Sequence, residues 1–596
     1  MLHTSEAYDP PQGVIPLLDP PVHHRRAPAF IALCALLMSV VAAAPAPAAA
    51  PCTSPPPTFP TSQMTRGMAG IGYTVLEGDT VVPFHVQILG VMPDAIYLGI
   101  DIVVAKITGP PSFLDETGGA IAGMSGSPIY VKGKLAGALA WAIAEDRQIF
   151  GMTAAEDMLG LFSLGGAPSF AAPSTLALTP LVRRAARESD SPLASGASLE
   201  ALPVPLGVSG TNGRRLAQVE DLFAEHGMRV SAFRAGSVPV PSGVTLDPRR
   251  FAPGEGFGVG LSYGDVSWYG FGTTTAVCGD VAIGFGHPMF SGTGRVALGM
   301  NAVDVIAIDN GTFWGTKIGV LGDAHGTMTQ DRFSGVAGVF GALPATLPIT
   351  SDVSSPDTGY GRTGRTEVAW DEDWFVAETA FSHAWSNLTY VVQEDAPGTL
   401  ALSWTIEGTR EDGSTWVVSN RFMEQNDYGA AAEAWRMSDM LHALASNGFE
   451  PIAFTSVSMD GSITGEDLTS RIVRVRVAGP LQPSLKDRGL VKAAPGDRLT
   501  VEVTLDPIER DTDVVTTFTV KVPHRARGYE QVRLSGGRGR LDYWGGGIGS
   551  LDDLIAVLNG GDHRNDLIVK GLGPTTVQPQ EVIVTGKAGF TVKVVR

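Results

Sequence analysis

The sequence predicts a mainly β, multidomain protein, and three observations carry that expectation. The 596-residue chain holds 73 Gly and 41 Pro with 44% hydrophobic and only 17% charged residues, the composition of a turn-rich globular chain. Apolar and polar residues alternate with a period of two in residues 400–406, 473–477, 499–505 and 518–522, as half-buried strands require. A glycine-rich loop, Gly123-Met124-Ser125-Gly126-Ser127, runs into Pro128-Ile129-Tyr130-Val131, a Lys132-Gly133 turn and the apolar residues 135–141, which is the pattern of a hairpin. The chain is too long for one core, so several folding units are expected.

Residues 1–50 read as a signal or leader. His23-His24-Arg25-Arg26 precede an apolar run over 29–44 and two Ala-x-Ala sites, and the run is too short to span a bilayer comfortably. This predicts a secreted, periplasmic or cell-envelope location. Residues 51–66 are a Pro/Thr/Ser linker, and 67–165 form a first β unit containing the glycine-rich loop. Near its end Thr153-Ala154-Ala155-Glu156 has capping-box spacing and predicts a short helix. Residues 166–250 are read as a linker with a helical insert over 212–226, closed by Gly227. A second β unit spans 251–345 and contains Gly284-Phe285-Gly286-His287-Pro288-Met289-Phe290. Residues 346–480 are an α+β module with a helix over 428–447, and 481–596 an immunoglobulin-like β module with a Pro495-Gly496-Asp497 turn and a capped helix over 550–559. No internal sequence repeat is visible.

A net charge of −18 and the lack of any long Lys/Arg run argue against a nucleic-acid partner. No metal-ligand spacing and no phosphate loop occur, so neither a metal nor a cofactor is expected. Cys34 falls in the leader; Cys52 and Cys278 suffice for one disulfide in an oxidising compartment, and for no metal cage.

The chemistry concentrates in two loops. A serine among small residues lets backbone N–H groups converge on a developing oxyanion, and Gly123 and Ser125 would supply those donors. Ser125 needs a base, and His287 is the histidine set in a glycine-rich loop, with His325 in Gly322-Asp323-Ala324-His325-Gly326 second. Ser127 is expected to hydrogen-bond within its own turn, and Asp331 and Arg332 to form a local pair.

Residues 117–129, the Gly-Lys-Leu turn after them, Gly286-His287, Lys317-Ile318-Gly319 and Gln330-Asp331-Arg332-Phe333-Ser334-Gly335 together resemble the stage IV sporulation protein B (SpoIVB) serine peptidase family. The resemblance covers roughly 67–341. It implies a chymotrypsin-like double β-barrel, followed here by the β-rich C-terminal modules, with Ser125 as nucleophile, His287 as general base and protein or peptide as substrate. Here Ser125 precedes His287, the reverse of the sporulation peptidase and the order of a group of secreted bacterial relatives. Where the family has its aspartate, before Thr-Gly-Gly, this chain has Pro110-Pro111. Asp101, Asp115, Asp280, Asp304 and Asp323 are the substitutes; Asp280, seven residues before His287, and Asp304 are favoured, and the sequence does not choose between them. The resulting expectation is a secreted serine endopeptidase whose C-terminal modules engage substrate or an envelope partner. The alternatives are an inactive binding or scaffold protein on the same fold, and a chain that cleaves its own linker within 165–205.

Overall fold

The computed structural model describes residues 52–97, 99–163, 173–191, 193–290, 294–394, 396–487, 489–539 and 547–595. The expected leader lies outside them. The first β unit folds as β1 (Ala69–Glu77), β2 (Thr80–Tyr97), β3 (Ile100–Gly109), β4 (Pro128–Val131), β5 (Lys134–Ile143) and β6 (Asp146–Ala154). These strands pair antiparallel in the order β1-β2-β3-β6-β5-β4, and β4 pairs back onto β1, closing a six-stranded barrel. Closure leaves no free edge, and the interior is filled by Phe84, Val103, Ile107, Ile129, Leu139 and Phe150, all buried. Between β3 and β4 stands α1 (Pro111–Thr117), with proline at its first turn and Gly118 in the left-handed region at its end. Helix α2 (Ala155–Leu159) follows β6 from an N-cap at Ala154 that makes no side-chain bond, so the expected Thr153–Glu156 capping box does not form.

Residues 166–250, expected as a linker with one helix, hold more structure than that. They contribute β7 (Thr175–Ala177), α3 (Pro180–Arg187), β8 (Ser198–Ala201), β9 (Val204–Val208), α4 (Gly213–Glu225) and β10 (Val230–Arg234). Strand β8 pairs with β5 of the first barrel. Helix α4 begins where Asn212 accepts the Arg215 N–H.

The second β unit forms β11 (Gly256–Gly264), β12 (Trp268–Cys278), β13 (Val281–Gly284), β14 (Gly294–Asp309), β15 (Thr316–Arg332) and β16 (Gly335–Phe340). Their order, β11-β12-β13-β16-β15-β14 with β14 back on β11, closes a second antiparallel barrel with the connectivity of the first. The repeat is therefore one of topology. Strand β9 pairs with β12, and a Cys52–Cys278 disulfide ties the segment before β1 to the end of β12.

The boundary expected at 346 is not a break in the sheet. β17 (Leu347–Ser354), β18 (Gly361–Val368), α5 (Asp373–Val392), β19 (Gly398–Arg410), β20 (Thr415–Asn426), α6 (Trp435–Ala445) and β21 (Ile452–Thr464) follow, and β18 pairs with β11, so the second barrel runs on as β18-β17-β21-β19-β20. Helix α5 lies on this extension and buries residues all round, from Phe375 to Val391. The helix expected over 428–447 is a 3-10 turn, Ala430–Ala434, leading into α6.

The last module starts at β22 (Thr469–Gly479), earlier than 481. It adds β23 (Gln482–Asp487), β24 (Leu490–Ala493), β25 (Arg498–Pro507), β26 (Val514–Lys521), β27 (Gly528–Gly536), α7 (Leu551–Leu558), β28 (Asp566–Gly571), β29 (Gly573–Pro579), β30 (Ile583–Thr585) and β31 (Lys587–Val594). Two five-stranded sheets enclose Val475, Val501, Val503, Leu534 and Val592. The parallel pairs β22–β30 and β24–β31 depart from the antiparallel immunoglobulin pattern expected here.

Candidate active site

Ser125 lies in the connection from the third to the fourth strand of the first barrel, and His287 in the same connection of the second. The two loops meet: Ser125 Oγ is 2.7 Å from His287 Nε2. The nucleophile loop is held by the opposite barrel. Thr273 Oγ1 donates to the Gly123 carbonyl (2.9 Å), Thr275 Oγ1 to that of Gly126 (2.7 Å), and the Thr273 N–H to that of Ser125 (2.7 Å). Gly126, at φ 98°, sits so close that a Cβ there would lie 1.9 Å from the Thr273 oxygen and 2.4 Å from Phe285 N. Any side chain would push the barrels apart.

Within the loop the Met124, Gly126 and Ser127 N–H groups bond to Ile121, Leu139 and Met124 carbonyls. The N–H groups of Gly123 and Ser125, the predicted oxyanion donors, have no acceptor among the described residues. Ser127 differs from expectation: its backbone makes the turn, while its buried hydroxyl has no partner among the described residues.

The imidazole is oriented by a neutral acceptor. His287 Nδ1 lies 2.6 Å from the Pro288 carbonyl oxygen. A carbonyl only accepts, so the neutral ring carries its proton on Nδ1 and presents a bare Nε2 to the Ser125 hydroxyl. That is the tautomer a general base needs. Before the ring, an N–H···O bond from Gly286 to Gly284 (2.8 Å) closes a γ-turn about Phe285, whose φ is +67°, a strained value for a bulky residue. Thr153 Oγ1 donates to the Gly286 carbonyl.

After the ring, the Asp331 carboxylate, fully buried at the end of β15, accepts the Met289 and Phe290 N–H groups at 2.9 Å each. Phe290 stacks on Trp370 with centroids 4.3 Å apart. Asp331 is thus a clamp on the histidine loop, and the Arg332 Nε donates to Gln330.

Neither favoured carboxylate reaches the ring. Asp280 is exposed in the turn between β12 and β13, at the far end of β13 from His287. Asp304 is bound to Arg250, which also holds Asp79, because its strand position faces that rim. Asp101 accepts from Thr61 and Asp94, and Asp323 from Thr245, in other parts of the molecule. His325 is buried against Phe251, away from Ser125.

Ser125 and His287 are each 2% exposed, with Trp141 and Phe285 edge-on to the imidazole. This burial pushes the His287 pKa down to about 4; the Pro288 carbonyl opposes the shift and Arg229 adds to it. Lys317 is a buried base beside the serine loop. Its stem packs under Gly123, its N–H bonds to the Ala122 carbonyl (3.1 Å) and its Nζ donates to Thr74 Oγ1 (2.8 Å), and burial lowers its pKa to about 7. Among the described residues no group of three His, Cys, Asp or Glu is placed to hold a metal ion.

Residues 51–159 match the family model of the SpoIVB peptidase S55. The match covers the first barrel. The match ends with the last residue of α2, so it includes Ser125 and its loop but not His287. No curated protein and no solved structure matches the chain.

Proposed function

We propose that this chain is a secreted serine endopeptidase working through an acyl-enzyme. The reading is carried by the 2.7 Å contact between Ser125 Oγ and His287 Nε2, made by equivalent loops of two barrels. Ser125 Oγ attacks the peptide carbonyl as its proton passes to Nε2, and the free N–H groups of Gly123 and Ser125 take the oxyanion. The imidazolium then gives that proton to the leaving amine. Water, deprotonated by the same nitrogen, attacks the ester and releases Ser125. The Pro288 carbonyl fixes the tautomer but brings only a dipole against the imidazolium, where a triad brings a full charge. The carbonyl holds the correct tautomer without supplying that charge, so turnover slower than a complete triad's is expected. The Cys52–Cys278 disulfide supports an oxidising, extracytoplasmic location.

The competing reading, a binding protein on a peptidase scaffold, is favoured by the near-complete burial of Ser125 and His287. Labelling with a fluorophosphonate separates the two. Wild type is expected to label and Ser125→Ala and His287→Ala not to; a folded wild type that fails to label leaves the binding protein.

A further inference from the structure

The C-terminal sandwich carries a cavity of about 730 Å³ ringed by Arg533, Arg538, Arg564, Lys570 and Lys587. Strand pairing gathers them. Arg533 on β27 stands opposite Lys570 on β28, and two residues along the same face Ser535 stands opposite Lys587 on β31. Arg564 is paired with Glu424. Arg533, Arg538, Lys570 and Lys587 are exposed, and none of them makes an ion pair among the described residues. Like charges directly opposite each other on neighbouring strands destabilise a sheet. In a chain of net charge −18 with carboxylates to spare, four uncompensated cations around one cavity are a local inversion of the whole.

We propose that this cavity binds a multivalent phosphate, a di- or triphosphate group either free or borne as a headgroup. Guanidinium forks at 533 and 538 suit bidentate contact with phosphate oxygens, and the two ammonium groups add point charges from the adjoining strands. The anion relieves the Arg533–Lys570 repulsion that the empty face retains. The site is independent of Ser125.

The test uses the full secreted chain and inorganic tripolyphosphate, titrated calorimetrically at low and at physiological ionic strength. One equivalent is expected to bind, weakening as salt rises. Lys570→Gln and Lys587→Gln are each expected to lose about tenfold in affinity. Without ligand, Lys570→Gln is expected to melt no lower than wild type, since it removes a repulsion; a merely structural lysine would do the opposite. Ser125→Ala is expected to bind as wild type does. Phosphatidylcholine vesicles containing a polyprenyl diphosphate distinguish the sources: co-sedimentation that tripolyphosphate abolishes identifies a headgroup, and no co-sedimentation identifies a free phosphate. No saturable tripolyphosphate binding, or equal binding by both lysine variants, overturns the proposal.

Discussion

Asp331→Asn tests how the histidine loop is held. In the wild type the two carboxylate oxygens accept the Met289 and Phe290 N–H groups at 2.9 Å each, in a site closed to water. Asparagine keeps one acceptor and turns an NH2 toward the other N–H, which is left buried and unpaired. A charge-assisted bond of roughly 1.5–3 kcal/mol is lost and an orphan donor costs about 1–3 kcal/mol more, so about 2.5–6 kcal/mol of stability is at stake. The clamp is two residues from His287, whose Nε2 stands 2.7 Å from Ser125 Oγ. A displacement of about 1 Å at such a distance lowers rates by about a hundredfold. Fluorophosphonate labelling rates and melting curves are measured together on wild type, Asp331→Asn and Asp331→Ala. The expected order in both is wild type, Asn, Ala, with labelling of the Asn variant down about a hundredfold. An Asn variant that melts and labels like wild type would refute the clamp.

Three further outcomes follow from burial and close approach. Lys317 has a folded pKa of about 7 against an ordinary 10.5, so between those values the unfolded chain holds more protons and stability rises with pH, by at most about 1.4 kcal/mol per unit. Lys317→Met is expected to flatten that slope in denaturant titrations; an unchanged slope would clear Lys317 of it. For His287, held at about 4 against 6.5, stability falls as pH drops through that window, and Nε2 stays unprotonated down to its lower end. Labelling of folded protein is therefore expected to hold level from pH 7 to 5, and a midpoint near 6.5 would contradict the buried, neutral imidazole. Gly126→Ala, whose new methyl meets the Thr273 carbonyl, is expected to abolish labelling and lower the melting temperature, with Gly133→Ala, at an open turn, as the mild control.

Local chemistry was legible in the sequence. The serine loop and its hairpin, the Gly-His-Pro loop, the capped helices α4 and α7, and the alternating strands of the sandwich each announce themselves within a dozen residues. What escaped is made by pairing across distance. Asp331 serves backbone N–H groups 41 and 42 residues upstream, which no spacing rule reaches. Thr153 looked like a helix cap because a glutamate follows three residues on, yet its hydroxyl goes to Gly286, across the barrel interface. Helix α5 is buried on all sides, so it shows no amphipathic stripe to read. The two barrels share connectivity without sharing sequence, and the cations of the C-terminal cavity are brought together only by the register of three strands.

The stack of Phe290 on Trp370 makes the chemistry non-portable. A fragment cut after the second barrel, at the boundary the composition suggests, would keep Ser125, His287 and Asp331. It would lose the indole under the histidine loop and strand β18 beside β11. The α+β layer is then less an accessory than a buttress, and grafting or trimming has to begin beyond residue 464, where β21 ends and the sheet that supports the histidine is complete.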